Sequence, residues 1–340
     1  MSREADLFTR APGNPILVPS GAWWEARGVL NPGVATVDGR IMLVYRAVGL
    51  DGFSRFGIAW SDDGVSFDER CHFYEPPAGD GEARLGVEDP RLTVLDGELW
   101  ATYTKASVAP VGSPTLSWEP APFLMRMALA RVDPVRGLVD ERPILPGVQA
   151  KDAVLFSRPI NGLFHALIRV YPSMQITTSP DLHTWSAPIT VLEPRPDTWE
   201  GERLGAGPPP VETPWGWLVL YHANESYHAE GNRRHYRMGV ALLDRDDPTR
   251  VLYRHPDPVF SPHAVYEHEG PVGRVVFGTG LVERAGLYHL YYGAADGVIG
   301  VATAPVTDLH RIVDPIHRET NEMAPRVVNG PHGSVGNGLQ

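Results

Sequence analysis

Cysteine is almost missing from this sequence of 340 residues, where Cys71 stands alone. A disulfide within the chain is therefore excluded, as is a thiolate metal cluster, and a reducing compartment is the natural home. Long apolar runs are missing too. Nothing approaches the roughly 18 residues of a membrane-spanning helix, and the opening MSREADLFTR has neither an apolar core nor a small-residue cleavage site. The expectation is a soluble, cytoplasmic protein with no membrane partner. Positive charge is in deficit: 30 Lys and Arg face 41 Asp and Glu, a net charge of −11. General attraction to nucleic acid is thereby disfavoured, although a local basic pocket remains compatible with it. Helical spacing is scarce as well. No stretch beyond about ten residues repeats apolar positions at i, i+3, i+4 and i+7, which argues against alternating strand and helix units. There is no G-x-G-x-x-G opening a helix, no P-loop and no G-x-S-x-G elbow, so nucleotide and serine-hydrolase chemistry lack support.

What is abundant is punctuation. The 35 glycines and 33 prolines make one residue in five, against roughly 12% in average usage, while 43% hydrophobic content over this length supports a sizeable core. The glycines mark repeats. A glycine turn followed by an apolar or aromatic run occurs at DGRIMLVYRA (38–47), DGELWATYTKA (96–106), NGLFHALIRV (161–170), WGWLVLYHA (215–223) and AGLYHLYYGA (285–294). The turn glycines Gly39, Gly97, Gly162, Gly216 and Gly286 are 58, 65, 54 and 70 residues apart, room for a four-stranded unit each time. A further short strand follows every copy: FGIAWS (56–61), RMALARV (126–132), QITTS (175–179), RMGVALLD (237–244) and VIGVATA (298–304). The predicted fold class is all-β, a five-bladed β-propeller in which radial closure keeps sheet edges short. It would form a single domain over residues 1–320. Residues 321–340, rich in glycine and asparagine, belong to no repeat and read as a tail. A pair of β-sandwiches is the competing architecture.

In a propeller, residues far apart in sequence converge at one mouth of the central channel. Polar residues at equivalent places in the units are Asn31 and Arg46, then Glu88, Asp89 and Arg91, then Lys151 and Asp152, then His222 and Tyr236, and finally Asp296. Charged groups inside such apolar runs are costly unless paired or used.

Several of these lie in longer motifs. GVEDPRL (86–92), KDAVLF (151–156), GAGPPPVETPWGWLVLYHA (205–223), the stretch from YEHEG (266–270) through VVFGTGLV (275–282), and YYGAADGVIGVATA (291–304) together resemble glycoside hydrolase family 130, the β-mannoside phosphorylases and related mannosidases. The matches run in order over most of the chain. The resemblance implies a five-bladed propeller and inverting phosphorolysis of a β-linked manno-oligosaccharide, giving α-mannose 1-phosphate and a shortened sugar or acceptor. It implies no cofactor, with inorganic phosphate as co-substrate, and by analogy a homo-oligomer.

Inverting cleavage of a glycoside usually needs one carboxylic acid for the leaving oxygen and one carboxylate to activate water. Phosphate is already an anionic nucleophile, so it removes the need for the base and demands cations and hydrogen-bond donors instead. The resemblance makes Asp89 the proton donor, acting through a sugar hydroxyl; read on its own, Asp89 could equally cap the Pro90 turn and pair with Arg91. Strand alternation would send Glu88 and Asp89 to opposite faces, so one of the two, taken as Asp89, should face the substrate. Arg46, Lys151, His222 and Tyr236 match the family's phosphate-binding set, with Asn31 as an amide donor. Asp296 matches a residue that hydrogen-bonds the sugar being cleaved, and Glu88, Arg91 and Asp152 complete the candidate substrate contacts. A further arginine is implied between the second and third units, where Arg126, Arg131, Arg136 and Arg142 compete. An asparagine is implied where Ala150 stands. Trp23, Trp24 and Trp199 could offer apolar faces to sugar rings. The alternatives are an inverting mannosidase drawing its base from Glu200, Glu267 and Glu269, and a noncatalytic glycan-binding propeller. NRRHYR (232–237) is the densest basic patch, a solvated turn or a lid over phosphate. His222, His228 and His235 match no zinc spacing, so no metal is expected.

Overall fold

The computed structural model describes residues 6–109, 123–225 and 235–315; the expected tail at 321–340 and His228 lie outside them. Four of the five glycine turns take one geometry. Asp38-Gly39, Asp96-Gly97, Asn161-Gly162 and Ala285-Gly286 all have positive φ at both positions, near 50° and then near 80°. That is the type I′ turn, whose twist matches the twist of the strands it joins. Each turn therefore closes a tight hairpin.

The strands follow from these hairpins. A short β1 (Thr9–Arg10) precedes a first antiparallel unit of β2 (Gly28–Val37), β3 (Arg40–Val48), β4 (Ser54–Ser61) and β5 (Glu69–Tyr74). The second unit is β6 (Gly86–Leu95), β7 (Glu98–Val108), β8 (Phe123–Asp133) and β9 (Gly137–Ile144), with strand pairing to the first unit where Ser54 lies parallel to Gly86. The third is β10 (Lys151–Leu155), β11 (Phe164–Val170), β12 (Ser173–Ser179) and β13 (Ile189–Leu192). In the fourth, β14 (Arg203–Ala206) and β15 (Val211–Thr213) share the partner β16 (Gly216–Asn224), followed by β17 (Tyr236–Leu243) and β18 (Val251–Arg254). A one-turn helix, α1 (Val265–His268), leads to the fifth unit of β19 (Val276–Arg284), β20 (Leu287–Ala294) and β21 (Val298–Pro305), and α2 (Val306–Val313) follows it. The fourth strand of this last unit is β1, whose Thr9 and Arg10 pair with Thr303 and Ala302. The fold is all-β, as the sequence leads one to expect.

The middle strands are rich in apolar residues on both faces because both faces are covered. On β3, Met42 and Val44 pack with Val87, Ala101 and Tyr103 of the second unit. Their neighbours Leu43 and Tyr45 turn the other way, against Tyr291, Ile299 and Val301 of the fifth. Leu129, Leu155 and Ile168 join the second unit to the third, Phe156, Trp217 and Tyr221 the third to the fourth, and Leu220, Val240 and Leu290 the fourth to the fifth. Burying each such large apolar side chain contributes about 1.5–3 kcal/mol.

A second element recurs in the units. Tyr45, Tyr221 and Tyr292 lie opposite Gly57, Gly239 and Gly300 on the next strand, and each ring fills the space a Cβ would need. Their hydroxyls donate to Glu25 at 2.8 Å, Glu200 at 2.7 Å and Glu267 at 2.8 Å. Glu200 is also held by Arg195 and Arg254, and Glu267 by Arg10 at 2.7 Å and by the backbone N–H groups of His263 and Ala264. Both carboxylates are fully buried. They serve the packing between units.

Candidate active site

The strand that opens each of the first three units is broken once. Register slips on β2 between Leu30 and Gly33, on β6 between Glu88 and Arg91, and on β10 between Lys151 and Val154. A short polar residue sits in left-handed backbone at each slip: Asn31 at φ 48°, Asp89 at 50° and Asp152 at 58°. Asn and Asp tolerate that region best among residues with a Cβ. Pro32 and Pro90 follow where the hydrogen-bond ladder is already interrupted, so their missing N–H is not felt. A bulge bends the strand and re-aims its side chains. Glu88 and Asp89 consequently face one cavity together, which corrects the expectation that alternation would separate them. Asp296, in the turn after β20, is likewise left-handed at φ 53°.

The cavity has a volume of about 350 Å³, within the range that small-molecule sites occupy. Asn31, Arg46, Glu88, Asp89, Lys151, Tyr236 and Asp296 line it, so seven of the ten sequence-predicted residues meet there. Arg46 Nη2 lies 2.8 Å from Glu88 Oε1, and its Nη1 3.5 Å from Asp89 Oδ1. Lys151 Nζ is 3.3 Å from Glu88 Oε2 and 3.9 Å from Asp89 Oδ2. Asn31 donates its amide to Asp89 Oδ1 at 2.8 Å. Two cations thus bridge the same two carboxylates.

Electrostatics follow from that geometry. Burial would push the Asp89 carboxyl up, but the charges of Lys151, Arg46 and Arg91 prevail and hold it below its ordinary value. Burial would likewise lower Lys151 and Arg46, and the facing carboxylates raise both instead. Asp296 goes the other way: burial pushes it up to about 6, Asp89 and Glu88 adding to the effect against Arg46 and Lys151.

Arg91, Asp152 and His222 do not line the cavity. All three are buried beneath it. Asp152 Oδ1 lies 3.3 Å from Arg91 Nη2, and its Oδ2 lies 3.0 Å from Arg169 Nη1 and 3.2 Å from His222 Nε2. Burial drives the His222 imidazole down to about 4 despite Asp152. His222 is therefore neutral near pH 7, its Nε2 lying between Asp152 Oδ2 and Arg169 Nη1, and its ring packs against Phe277 at 4.0 Å between centroids. Expected as a phosphate ligand, His222 is fully buried behind Phe277 and is not among the residues that line the cavity.

None of the four competing arginines reaches the site. Arg126 bonds the Val148 carbonyl and Gln149, Arg131 pairs with Asp140 and Glu98, Arg142 lies over the Trp100 ring at 5.1 Å, and Arg136 lines a separate cleft. Besides Arg46, the guanidinium groups that line it are those of Arg169 and Arg203. Arg169 follows Gly162 by seven residues, as Arg46 follows Gly39, and that offset is the signal that points to it. Arg203, which bonds the Tyr236 hydroxyl, has no comparable signal. Phe123, Met125, Val272, Val275 and Phe277 supply an apolar wall. Ala150, where asparagine is implied, packs into the apolar cluster between the second and third units and does not line the cavity. Trp24 and Trp199 are core residues, and Trp23 is exposed with Arg55 over its ring at 4.8 Å. Glu269 is exposed and lines none of this cavity.

A wider cleft of about 780 Å³ lies beyond Tyr236, whose neighbours His235 and Arg237 face it together with Asp6, His263, His268 and Arg274. Of the basic patch at 232–237, residues 232–234 lie outside the described residues. Among the described residues no group of three His, Cys, Asp or Glu is placed to hold a metal ion.

A buried acid held by an ammonium, a guanidinium and an amide, within a cavity rich in further cations, defines an enzyme that transfers a group with the help of an anion. A sequence model of the family described as β-1,4-mannooligosaccharide phosphorylase matches residues 14–315, and the chain belongs to that family, glycoside hydrolase family 130. It is 33% identical over 309 residues to a 1,2-β-oligomannan phosphorylase of Thermoanaerobacter sp. (strain X514), covering 88% of this chain and 98% of that protein. A β-1,2-mannobiose phosphorylase of the same organism is also 33% identical, over 87% of this chain and 96% of the relative. Among solved structures, one reported with the finding that this family of mannoside phosphorylases contains glycoside hydrolases targeting β-1,2 mannosidic linkages in Candida mannan aligns at a TM-score of 0.78. It is 25% identical over 90% of this chain and 96% of its own.

Proposed function

We propose that this protein is an inverting β-mannoside phosphorylase that cleaves a β-linked manno-oligosaccharide with inorganic phosphate, giving α-mannose 1-phosphate and a shortened sugar or acceptor. The observation that carries the reading is the single cradle in which Arg46 and Lys151 bridge Glu88 and Asp89. Asp89 is the acid. Arg46 and Lys151, with Asn31, Tyr236, Arg169 and Arg203 around them, hold the phosphate. Asp296 and Glu88 take the hydroxyls of the sugar being cleaved. A phosphate oxygen attacks C1 from the face opposite the leaving sugar, the C1–O bond breaks, and Asp89 protonates the departing oxygen, directly or through a sugar hydroxyl. The phosphate's own proton returns to Asp89, so the step balances without a further reactant. In the empty site Lys151 and Arg46 keep Asp89 ionised; a bound phosphate engages those same cations, releases their hold and lets Asp89 carry its proton.

The scaffold for this reading is a five-bladed propeller over residues 1–320. Its support is the chain of five apolar clusters that link each unit to the next and the fifth back to the first. The lone Cys71, exposed and unpaired, fits the cytoplasm. No cofactor is invoked.

Hydrolysis is the second reading, because hydrolases occur among the family's solved structures. A water needs a base on the face opposite Asp89. Glu200 and Glu267 are sequestered with arginines and tyrosines, whereas Asp296, pushed up to about 6, has the basicity of a general base. Phosphorolysis is favoured by the cations of the cradle, which a water nucleophile would not need. The test is product analysis with β-1,2- and β-1,4-mannobiose, with and without phosphate, for the wild type and Asp89→Asn. We expect mannose 1-phosphate from the β-1,2 substrate only when phosphate is present, and none from the folded variant. Free mannose released without phosphate would replace this reading with hydrolysis.

A further inference from the structure

Beneath the cavity one carboxylate serves three nitrogen-bearing groups. Asp152 is fully buried, lines none of the cavity, and meets Arg91 at 3.3 Å, Arg169 at 3.0 Å and His222 at 3.2 Å. Its two oxygens divide the labour: Oδ1 faces Arg91, and Oδ2 faces Arg169 and His222.

The two arginines lead to different parts of the chemistry. Arg91 donates Nη1 to the main-chain carbonyl of Asp89 at 2.8 Å and Nη2 to that of Ala206 at 3.2 Å. It therefore pins the left-handed bulge that aims Asp89, and ties it to the opening strand of the fourth unit. Arg169 instead runs along β11 to the cavity wall, beside Lys151, its register partner on β10. Buried guanidinium groups without a carboxylate are expensive, and His222, being neutral, contributes no charge. Asp152 is thus the common anchor of the acid and of one arm of the anion cradle.

We propose that Asp152 is a positioning residue that sets both halves of the site without touching either substrate, through Arg91 for the acid and through Arg169 for phosphate. The inference rests on the phosphorylase reading above, and it differs from the expectation that Asp152 contacts the sugar. Bulge geometry supports it independently. Asp152 is itself left-handed at φ 58°, and a Cβ on Gly205 would come within 2.7 Å of its Oδ2, so the carboxylate is clamped from the fourth unit as well.

The experiment is steady-state kinetics of Asp152→Asn, Arg169→Gln and their double variant on β-1,2-mannobiose with phosphate varied, each melted to check folding. Asn preserves the shape and removes the charge. Displacing a reacting group by about 1 Å costs on the order of a hundredfold, so Asp152→Asn should lower kcat tenfold or more and raise the phosphate KM, leaving the mannobiose KM within about twofold. In the Arg169→Gln background the further rise in phosphate KM should vanish, because the arm through which Asp152 acts is gone. Additive rises would overturn the proposal, as would a mannobiose KM that climbs instead, the mark of a direct sugar contact. Should Asp152→Asn fail to fold, Arg91→Lys and Arg169→Gln carry the test separately: the first should lower kcat at unchanged phosphate KM, the second should raise phosphate KM. Identical effects from both would count against two arms. A wild-type enzyme that makes no mannose 1-phosphate would instead remove the phosphorylase reading itself.

Discussion

Asn31 and Asp89 share a hydrogen bond of 2.8 Å and a backbone conformation, each left-handed at a register slip on the opening strand of neighbouring units. The bond fixes one oxygen of the acid and leaves the other toward Lys151. Behind Asn31 stands Gly293 on β20, where a Cβ would collide with the Asn31 amide oxygen. Gly293→Ala should therefore swing Asn31 away and lower kcat about tenfold or more, although Gly293 lines no part of the cavity. An unchanged kcat in a folded variant would mean that Asn31 does not hold the acid.

Lys151 offers a cleaner separation of binding from chemistry. A charge-assisted hydrogen bond contributes about 1.5–3 kcal/mol, so Lys151→Met should raise the phosphate KM about tenfold to a hundredfold. The KM for mannobiose should move far less. Equal changes in both would place the ammonium on the sugar.

Asp296 sets function against stability. Its folded-state pKa is raised from 3.8 to about 6, so the native protein prefers the protonated acid; the resulting penalty is absent below 3.8, grows as pH rises and is complete above about 6. Asp296→Asn removes it. Because the group stands at an open mouth, screening trims the full shift to about 1–3 kcal/mol. The variant should melt higher than wild type at pH 8, match it near pH 3.5, and turn over poorly at both. A lower melting temperature at pH 8 would refute the raised pKa of Asp296.

His222 predicts acid sensitivity. Its folded value near 4 lies below the ordinary 6.5, so the unfolded chain binds the proton first and stability falls between pH 6.5 and about 4. The loss amounts to about 3 kcal/mol. Asp152, held well below its usual range against burial by Arg169, Arg91 and His222, adds a loss at still lower pH. His222→Gln should flatten the first window by one proton and, because Arg169 and Arg91 still hold Asp152 down, leave most of the second. Melting temperature followed from pH 7 to 3 measures both.

The repeating hairpins were legible because their signals are local. An Asp-Gly or Asn-Gly pair fixes a turn whatever surrounds it, and the apolar run after it must be buried. Seven of the ten predicted residues converge on one cavity, and Glu88, Asp89, Lys151 and Asp296 were legible because they sit in the motifs GVEDPRL, KDAVLF and YYGAADGVIGVATA. Depth was not. His222 and Tyr236 look alike as polar residues in apolar runs, yet one lies under the floor at full burial and the other lines the wall. Alternation failed at Glu88 and Asp89 because period two holds only while the ladder is regular, and the bulge is a property of the paired strands. Glu200 and Glu267 were candidate bases for the alternative hydrolase, and their engagement was not legible because the arginines and tyrosines that occupy them come from up to 257 residues away.

The last sheet borrows its outer strand from the beginning of the chain, Thr9 and Arg10 lying beside Thr303 and Ala302. Strands leave the ribosome in one order, then, and sheets are finished in another: β1 must wait for β21, made some 290 residues later. Asp296 belongs to that final sheet, so a growing chain carries its acid and most of its cations well before it owns a complete sugar pocket. Proteolytic removal of the first ten residues would strip β21 of its neighbour and present a bare edge to other chains. The same stitch that finishes the enzyme is what keeps its last sheet from finding a partner elsewhere.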